Sequence, residues 1–239
     1  MCAAVAEELG HDPERVRQYQ IACLLHDLGR AGLDRRLFGK IWSWAKAHGI
    51  PTRPREWRTI HPETVYGHET EAFLSRYRRE LEADGIEMTP WAVEQVEMRL
   101  GYARRLARRL RAVRSAIKQL GVRWEPWMQA VMLYYYYPEK LAGAKPWVKQ
   151  LAEVLVACEQ FEAYSNQRRG RDYYVRRKET IPEAFAYLAA LERQGILSAE
   201  VMHALKRLAA DGAFDEVLKE ARGRRLTPTD RKALRGMKR

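Results

Sequence analysis

The chain has 239 residues, 43 Lys and Arg against 31 Asp and Glu, and a formal charge of +12 with neutral histidines. Its 46% hydrophobic and 31% charged composition excludes a disordered or disulfide-stapled chain, and its length allows one large domain or two small ones. The longest uncharged stretch, Pro126 to Pro138, is too short to span a bilayer. Asp12 and Pro13 make a cap and first-turn pair for a helix over 13 to 28, with Val16, Tyr19 and Cys23 at helical spacing and a stop at Gly29. Pro62 opens a helix running towards Asp84 and Gly85. Thr89 and Pro90 start a longer one, where Leu106, Leu110, Val113, Ile117 and Leu120 recur at steps of four and three until Gly121. Such a stripe suits a helical hairpin or a homodimer seam.

Further helices are expected at about 126 to 137, 147 to 166, 182 to 194, 198 to 210 and 228 to 236, the last opened by a Thr227-Pro228-Thr229-Asp230 capping box. No stretch sustains the alternation of a strand, so the expected fold class is all-α. The organisation expected is a single domain over 1–221, with a helical insertion at about 77–125 and a basic C-terminal tail over 222–239.

The charge is concentrated. Arg99 to Arg123 holds nine Lys and Arg and no acid, and Arg222 to Arg239 holds eight with only Asp230 against them. Outside these two segments the balance is acidic. Segments of this kind suit nucleic acid, a nucleotide or an acidic surface, or serve as a solvated helix face and a basic terminus. Cys2, Cys23 and Cys158 are too few and too scattered along the chain for a disulfide framework or a thiolate zinc site, and point to a reducing cytoplasm. The opening MCAAVAEELG lacks the basic start and apolar run of a signal peptide, which makes secretion unexpected.

Of the six histidines, three stand in suggestive places. His26 and Asp27 are adjacent at the end of an apolar helix, in IACLLHDLGR. An imidazole nitrogen beside a carboxylate oxygen can ligate a divalent ion where neighbouring side chains converge. His61 precedes Pro62, and His68 lies seven residues on, about 10 Å away if the segment is helical. The two are then too far apart to share an ion, though both could line one pocket. Read blandly, His26 and Asp27 are a hydrogen-bonded pair at a helix end, and His61 is a capping residue.

These residues resemble the HD superfamily of metal-dependent phosphohydrolases, and more narrowly its HD-GYP branch of cyclic-di-GMP phosphodiesterases. The resemblance runs from LLHDLGR through Gly39-Lys40, Glu56-Trp57 and Ile60-His61-Pro62. It resumes in LAEVLVACEQFEAYSNQRRGR and continues through Glu183-Ala184 and Gly195 to Val201 and Ala204-Leu205. It implies an HD-domain helical bundle, with the long basic amphipathic helix inserted, around a divalent metal site, commonly iron or manganese, that binds substrate phosphate and activates water. Carried over by position, His26, Asp27, His61 and Glu159 are the implied metal ligands, and Asp27 is catalytic. Arg30, standing where the family has Lys, is implied as a catalytic and substrate-binding residue, and Arg168 as a second phosphate contact.

The departures are as informative. The family's His-His pair should fall in LYYYYPEKLAGAKPW, yet no histidine occurs between His68 and His203. Glu139 is kept, and the Gly-Tyr-Pro loop is reduced to Gly143-Ala144-Lys145-Pro146. Glu159 replaces an Asp. The ligands that survive suffice for one ion rather than two. The expected function is therefore an HD-GYP-like phosphohydrolase with a reduced metal site, acting on a cyclic dinucleotide or related phosphoester. The alternative is a catalytically inactive regulatory module of the same kind that binds nucleotide or protein.

Overall fold

The computed structural model describes residues 1–119, 121–165 and 180–237. Among them it has thirteen α-helices, two short 3-10 turns and no strand, so the protein is all-α. No described helix is long and apolar enough to cross a membrane. The described residues fall into two compact units.

The first unit comprises residues 1–25, 124–165 and 180–237. Its helices are α1 (Cys2–Glu8), α2 (Pro13–Leu25), α8 (Pro126–Leu133), α9 (Pro146–Ser165), α10 (Ile181–Arg193), α11 (Ala199–Ala210), α12 (Asp215–Arg222) and α13 (Pro228–Gly236), with a 3-10 turn at Pro138–Leu141. Helix α9 is the axis of this unit, packed by α1, α8, α10, α11 and α12. Its sequence explains why: Leu151, Ala152, Val154, Val156, Ala157 and Phe161 are spread round the helix and all are buried, and a helix apolar all round belongs inside. Each fully buried Leu or Phe there contributes about 1.5–3 kcal/mol.

The tyrosine run lies in the turn after α8 and is divided between core and surface. Tyr134 and Tyr137 are buried, the Tyr134 hydroxyl donates to the Ile196 carbonyl at 2.9 Å, and the Tyr135 and Tyr187 hydroxyls lie 2.9 Å apart. The end of α8 comes at Leu133, earlier than the spacing suggests.

The second unit comprises residues 26–119 and 121–123. It holds a 3-10 turn at Leu28–Arg30 and helices α3 (Arg35–Ala47), α4 (Pro54–Ile60), α5 (Glu69–Ala83), α6 (Pro90–Glu97) and α7 (Tyr102–Gln119). Its core is aromatic. Trp42 packs against Phe38 and Phe73 at 5.9 and 5.5 Å between ring centres, and Trp57 packs on Phe73 at 5.9 Å. Asp34 caps α3 by accepting from the Leu37 N–H at 3.0 Å, and Thr89 caps α6 through the Ala92 N–H at 3.2 Å.

Three further boundaries differ from the expected ones. Pro62 opens no helix: the chain turns through 61–68 and α5 starts at Glu69. Here Trp57 Nε1 donates to Thr64 at 3.0 Å and Gly67 adopts φ +84°, a left-handed turn that favours glycine. The helix expected from Pro90 to Gly121 breaks between α6 and α7, at Gly101. A Cβ on Gly101 would lie 2.7 Å from both the Glu97 side chain and Thr70 Oγ1. Helix α2 stops at Leu25 rather than reaching 28, for reasons that belong to the candidate site.

The C-terminal segment folds onto the first unit, where α13 packs on α10 and α11. Thr227 caps α13, and Asp230 answers as the other half of the box. The Asp230 carboxylate accepts from the Thr227 N–H at 2.9 Å and from Arg224 at 2.6 Å, with buried Arg222 at 3.2 Å. Burial pushes the Asp230 pKa up, but the bonds from Arg224 and Thr227 and the Arg222 charge outweigh it and hold it at about 2. A depressed carboxyl stabilises the fold above the ordinary aspartate pKa, and that contribution disappears as the pH falls through the folded value. We predict that Asp230→Asn lowers the urea midpoint at pH 7, equivalent to about 1–3 kcal/mol. Its gap to wild type should close between pH 4 and about 2.

Candidate functional site

The His26-Asp27 dipeptide lies in the second unit, at the entry to the 3-10 turn Leu28–Arg30. Helix α7 organises this turn. The Tyr102 hydroxyl donates to the His26 carbonyl. Arg105, fully buried, donates from Nε to the Gly29 carbonyl at 2.8 Å and from Nη2 to the Ala31 carbonyl at 2.8 Å. Its Nη1 reaches Glu94 at 2.9 Å and Glu97 at 3.5 Å. One planar guanidinium thus satisfies two carbonyls that have left the helical ladder and neutralises itself on two carboxylates, a geometry lysine cannot reproduce. These carbonyls face side chains of α7 in place of amides further along, so the chain turns where periodicity alone would continue α2. Gly29 sits under Tyr102, whose ring would come within 2.6 Å of an added Cβ.

The turn presents three side chains together. His26 Nε2 and Asp27 Oδ2 are 3.7 Å apart, and Arg30 Nη1 is 3.2 Å from Asp27 Oδ1. The Arg30 guanidinium also lies 5.9 Å from the Tyr102 ring centre, which limits where it can go. Asp27 is exposed, whereas the side chains of His26 and Arg30 are 27% and 19% exposed, so the carboxylate faces solvent between two largely covered cationic or dipolar neighbours.

The other expected site residues are placed as follows. His61 caps the C-terminal end of α4, stacks on Trp57 at 4.3 Å between ring centres, and has Nδ1 at 3.8 Å from Glu63. Glu63 also pairs with Arg76. His68 is exposed ahead of α5; because 61–68 is a turn, the helical spacing assumed between the two histidines does not apply. Glu159 is a partly buried residue of α9, in the first unit. Arg168 and Leu120 lie outside the described residues. Among the described residues no three His, Cys, Asp or Glu side chains gather closely enough to hold a metal ion. What the structure does bring together is a two-donor pair, His26 and Asp27, beside one arginine.

The arginines of α7 are engaged within the same unit. Arg104 donates to the Gly67 carbonyl at 2.8 Å and Glu71 at 2.7 Å, and Arg108 holds Glu97 at 2.9 and 2.6 Å. Arg109 stands 3.9 Å from Glu94. Four of the nine cations that made 99–123 look like an anion surface are therefore met by acids of α5 and α6, and Arg105 is removed from solvent. The sequence carries one hint of this: Arg105 adjoins Leu106 and follows Tyr102 by three, on the apolar stripe, where a cation needs a buried partner.

Comparison of the chain with known protein families, with curated proteins and with solved structures finds no match in any of the three.

Removing one partner of a buried charge cluster leaves the others uncompensated, at a cost of about 3–5 kcal/mol. Arg105→Met is expected to lower stability by that amount in urea titration. Arg105→Lys should recover only a minor part, since one ammonium cannot serve both carbonyls and both carboxylates.

Proposed function

We propose that this protein is an HD-GYP-like phosphoester-binding protein whose metal site is reduced to the His26–Asp27 pair. Its ligand class is a cyclic dinucleotide or a related phosphoester. The observation that carries this reading is the separation of the two donors. With Nε2 and Oδ2 3.7 Å apart, the imidazole and the carboxylate are close enough that they would hold one divalent ion between them. Arg30 adds a fixed positive charge beside that position, suited to a phosphate oxygen. When bound, one divalent ion, iron or manganese by the family resemblance, would polarise the phosphate.

Two protein donors leave most coordination positions to ligand oxygens and water, so in this reading ion and phosphoester bind together. The specific observation that no third donor joins the pair among the described residues favours the regulatory form of the proposal, in which the ligand is bound without turnover. Isothermal titration of cyclic-di-GMP with and without manganese tests it. Manganese should raise affinity at least tenfold, and His26→Ala or Asp27→Asn should abolish the rise. A manganese effect that is absent, or that survives both substitutions, overturns the proposal. Product on prolonged incubation assigns an enzyme, and intact ligand assigns the module.

A second reading, that the C-terminal segment binds nucleic acid, is favoured by a separate observation. Helices α12 and α13 and the segment between them flank a cleft of about 1190 Å³ lined by Lys219, Arg225, Arg231, Lys232 and Arg235 against Asp215 and Glu216. Lys219 is paired with Glu216 at 2.8 Å, and the cations lining the cleft outnumber its acids. Binding of a single-stranded oligonucleotide should weaken steeply with salt, and Arg231→Glu with Lys232→Glu should lower both the affinity and the salt slope. An unchanged slope would exclude the cleft.

A further inference from the structure

The aromatic core of the second unit reaches the surface where α3 and α5 end. Trp57 and Phe73 are buried, and both pack on Tyr77, at 6.2 and 5.4 Å between ring centres. Tyr77 is half-buried and meets the half-buried Trp44, whose ring stands 6.2 Å away at 67°. His48 lies against the same indole at 4.4 Å. These rings open onto a pocket of about 440 Å³, lined by Trp44, His48 and Tyr77, by buried Ile50, and by Glu80 and Asp84. That volume is in the range of small-molecule sites.

The chemistry of this pocket is that of a cation host. Glu80 and Asp84 stand four residues apart, on one face at the end of α5. The Asp84 carboxylate accepts from Trp44 Nε1–H at 2.5 Å, which fixes the indole against α5 and leaves the charge in place. Among the described residues no lysine or arginine lines the pocket, and Lys40 is held by the Gly85 carbonyl at 2.7 Å. His48 ends α3 and Asp84 ends α5, and the C-terminal end of a helix carries partial negative charge. Aromatic faces attract cations as well. A bare metal ion or a primary ammonium would surrender strongly bound water to enter walls of this kind. A quaternary ammonium carries its charge beneath methyl groups, so it loses little hydration and gains apolar contact.

We propose that this pocket binds a small quaternary ammonium ion of the choline type, with its methylated nitrogen against Trp44 and Tyr77 and its charge compensated by Glu80 and Asp84. The rings supply the contact area and the two carboxylates select the sign of charge. A zwitterion such as betaine is disfavoured, because its own carboxylate would meet Glu80 and Asp84. This inference is independent of the phosphoester reading, which uses none of these residues and a ligand of the opposite charge.

The test titrates the full chain with choline and follows the linewidth of the ligand's N-methyl proton resonance. Choline should bind saturably. Dimethylbutanol, in which a quaternary carbon replaces the charged nitrogen, should bind at least tenfold more weakly, and so should betaine. Glu80→Gln, at an exposed position, should weaken choline at least threefold, and Trp44→Leu at least tenfold. No saturable binding of choline, equal binding of dimethylbutanol or betaine, or an affinity left unchanged by Glu80→Gln or by a folded Trp44→Leu would each overturn the proposal. A trimethyllysine peptide that binds at least tenfold more tightly than choline would overturn the free ion as the occupant. The comparison of choline with its neutral isostere is read on the wild-type chain, so it decides the matter even if Trp44→Leu fails to fold.

Discussion

Arg105 is the constraint around which the second unit is arranged. A guanidinium with no exposed surface needs its donors filled and its charge met, and here four groups do so: the carbonyls of Gly29 and Ala31 and the carboxylates of Glu94 and Glu97. Those four come from the 3-10 turn and from α6, so one side chain of α7 joins three segments. Hydrogen bonds to a buried charge are among the stronger polar contacts a protein makes. Tyr102, three residues earlier on the same helix, adds the His26 carbonyl. The backbone of the candidate site's dipeptide is thus held from α7, and the Asp27 side chain pairs with Arg30.

That backbone hold bears on chemistry. A loop that carries ligating or phosphate-binding groups is useful only when the groups are already in place, since ordering them on binding subtracts from affinity. In this turn the imidazole, the carboxylate and the Arg30 guanidinium are neighbours before any ligand arrives, with Arg30 stacked against Tyr102. His61 is equally constrained, by Trp57 and by the cap of α4, and its partners are local ones. The site therefore reads as a small preorganised cluster. It is not a broad donor cage.

The distribution of charge follows the same logic. Along α7, Arg104, Arg105 and Arg108 are matched to acids on α5 and α6, so part of a run of cations that looks like an anion surface ties helices together, while Arg111, Arg114 and Lys118 are exposed. In the last two helices cations line an open cleft. Equal composition at two places in the chain thus has different consequences, decided by which residues lie opposite.

What the sequence alone determined is what depends on near neighbours. The all-α class followed from helical periodicity, and the starts of α2, α6 and α13 were readable from capping residues and prolines that act within one turn. The adjacency of His26 and Asp27 was likewise given by their order. What only the tertiary structure decided involves partners far along the chain: the stop of α2, where Tyr102 and Arg105 take the carbonyls of His26 and Gly29 from seventy-six residues beyond; and the close approach at Gly101, where a side chain would meet Glu97 and Thr70. Local conformational preference is written in short stretches of sequence. Burial, charge neutralisation and the meeting of distant side chains are properties of contacts between segments, and no short stretch contains them.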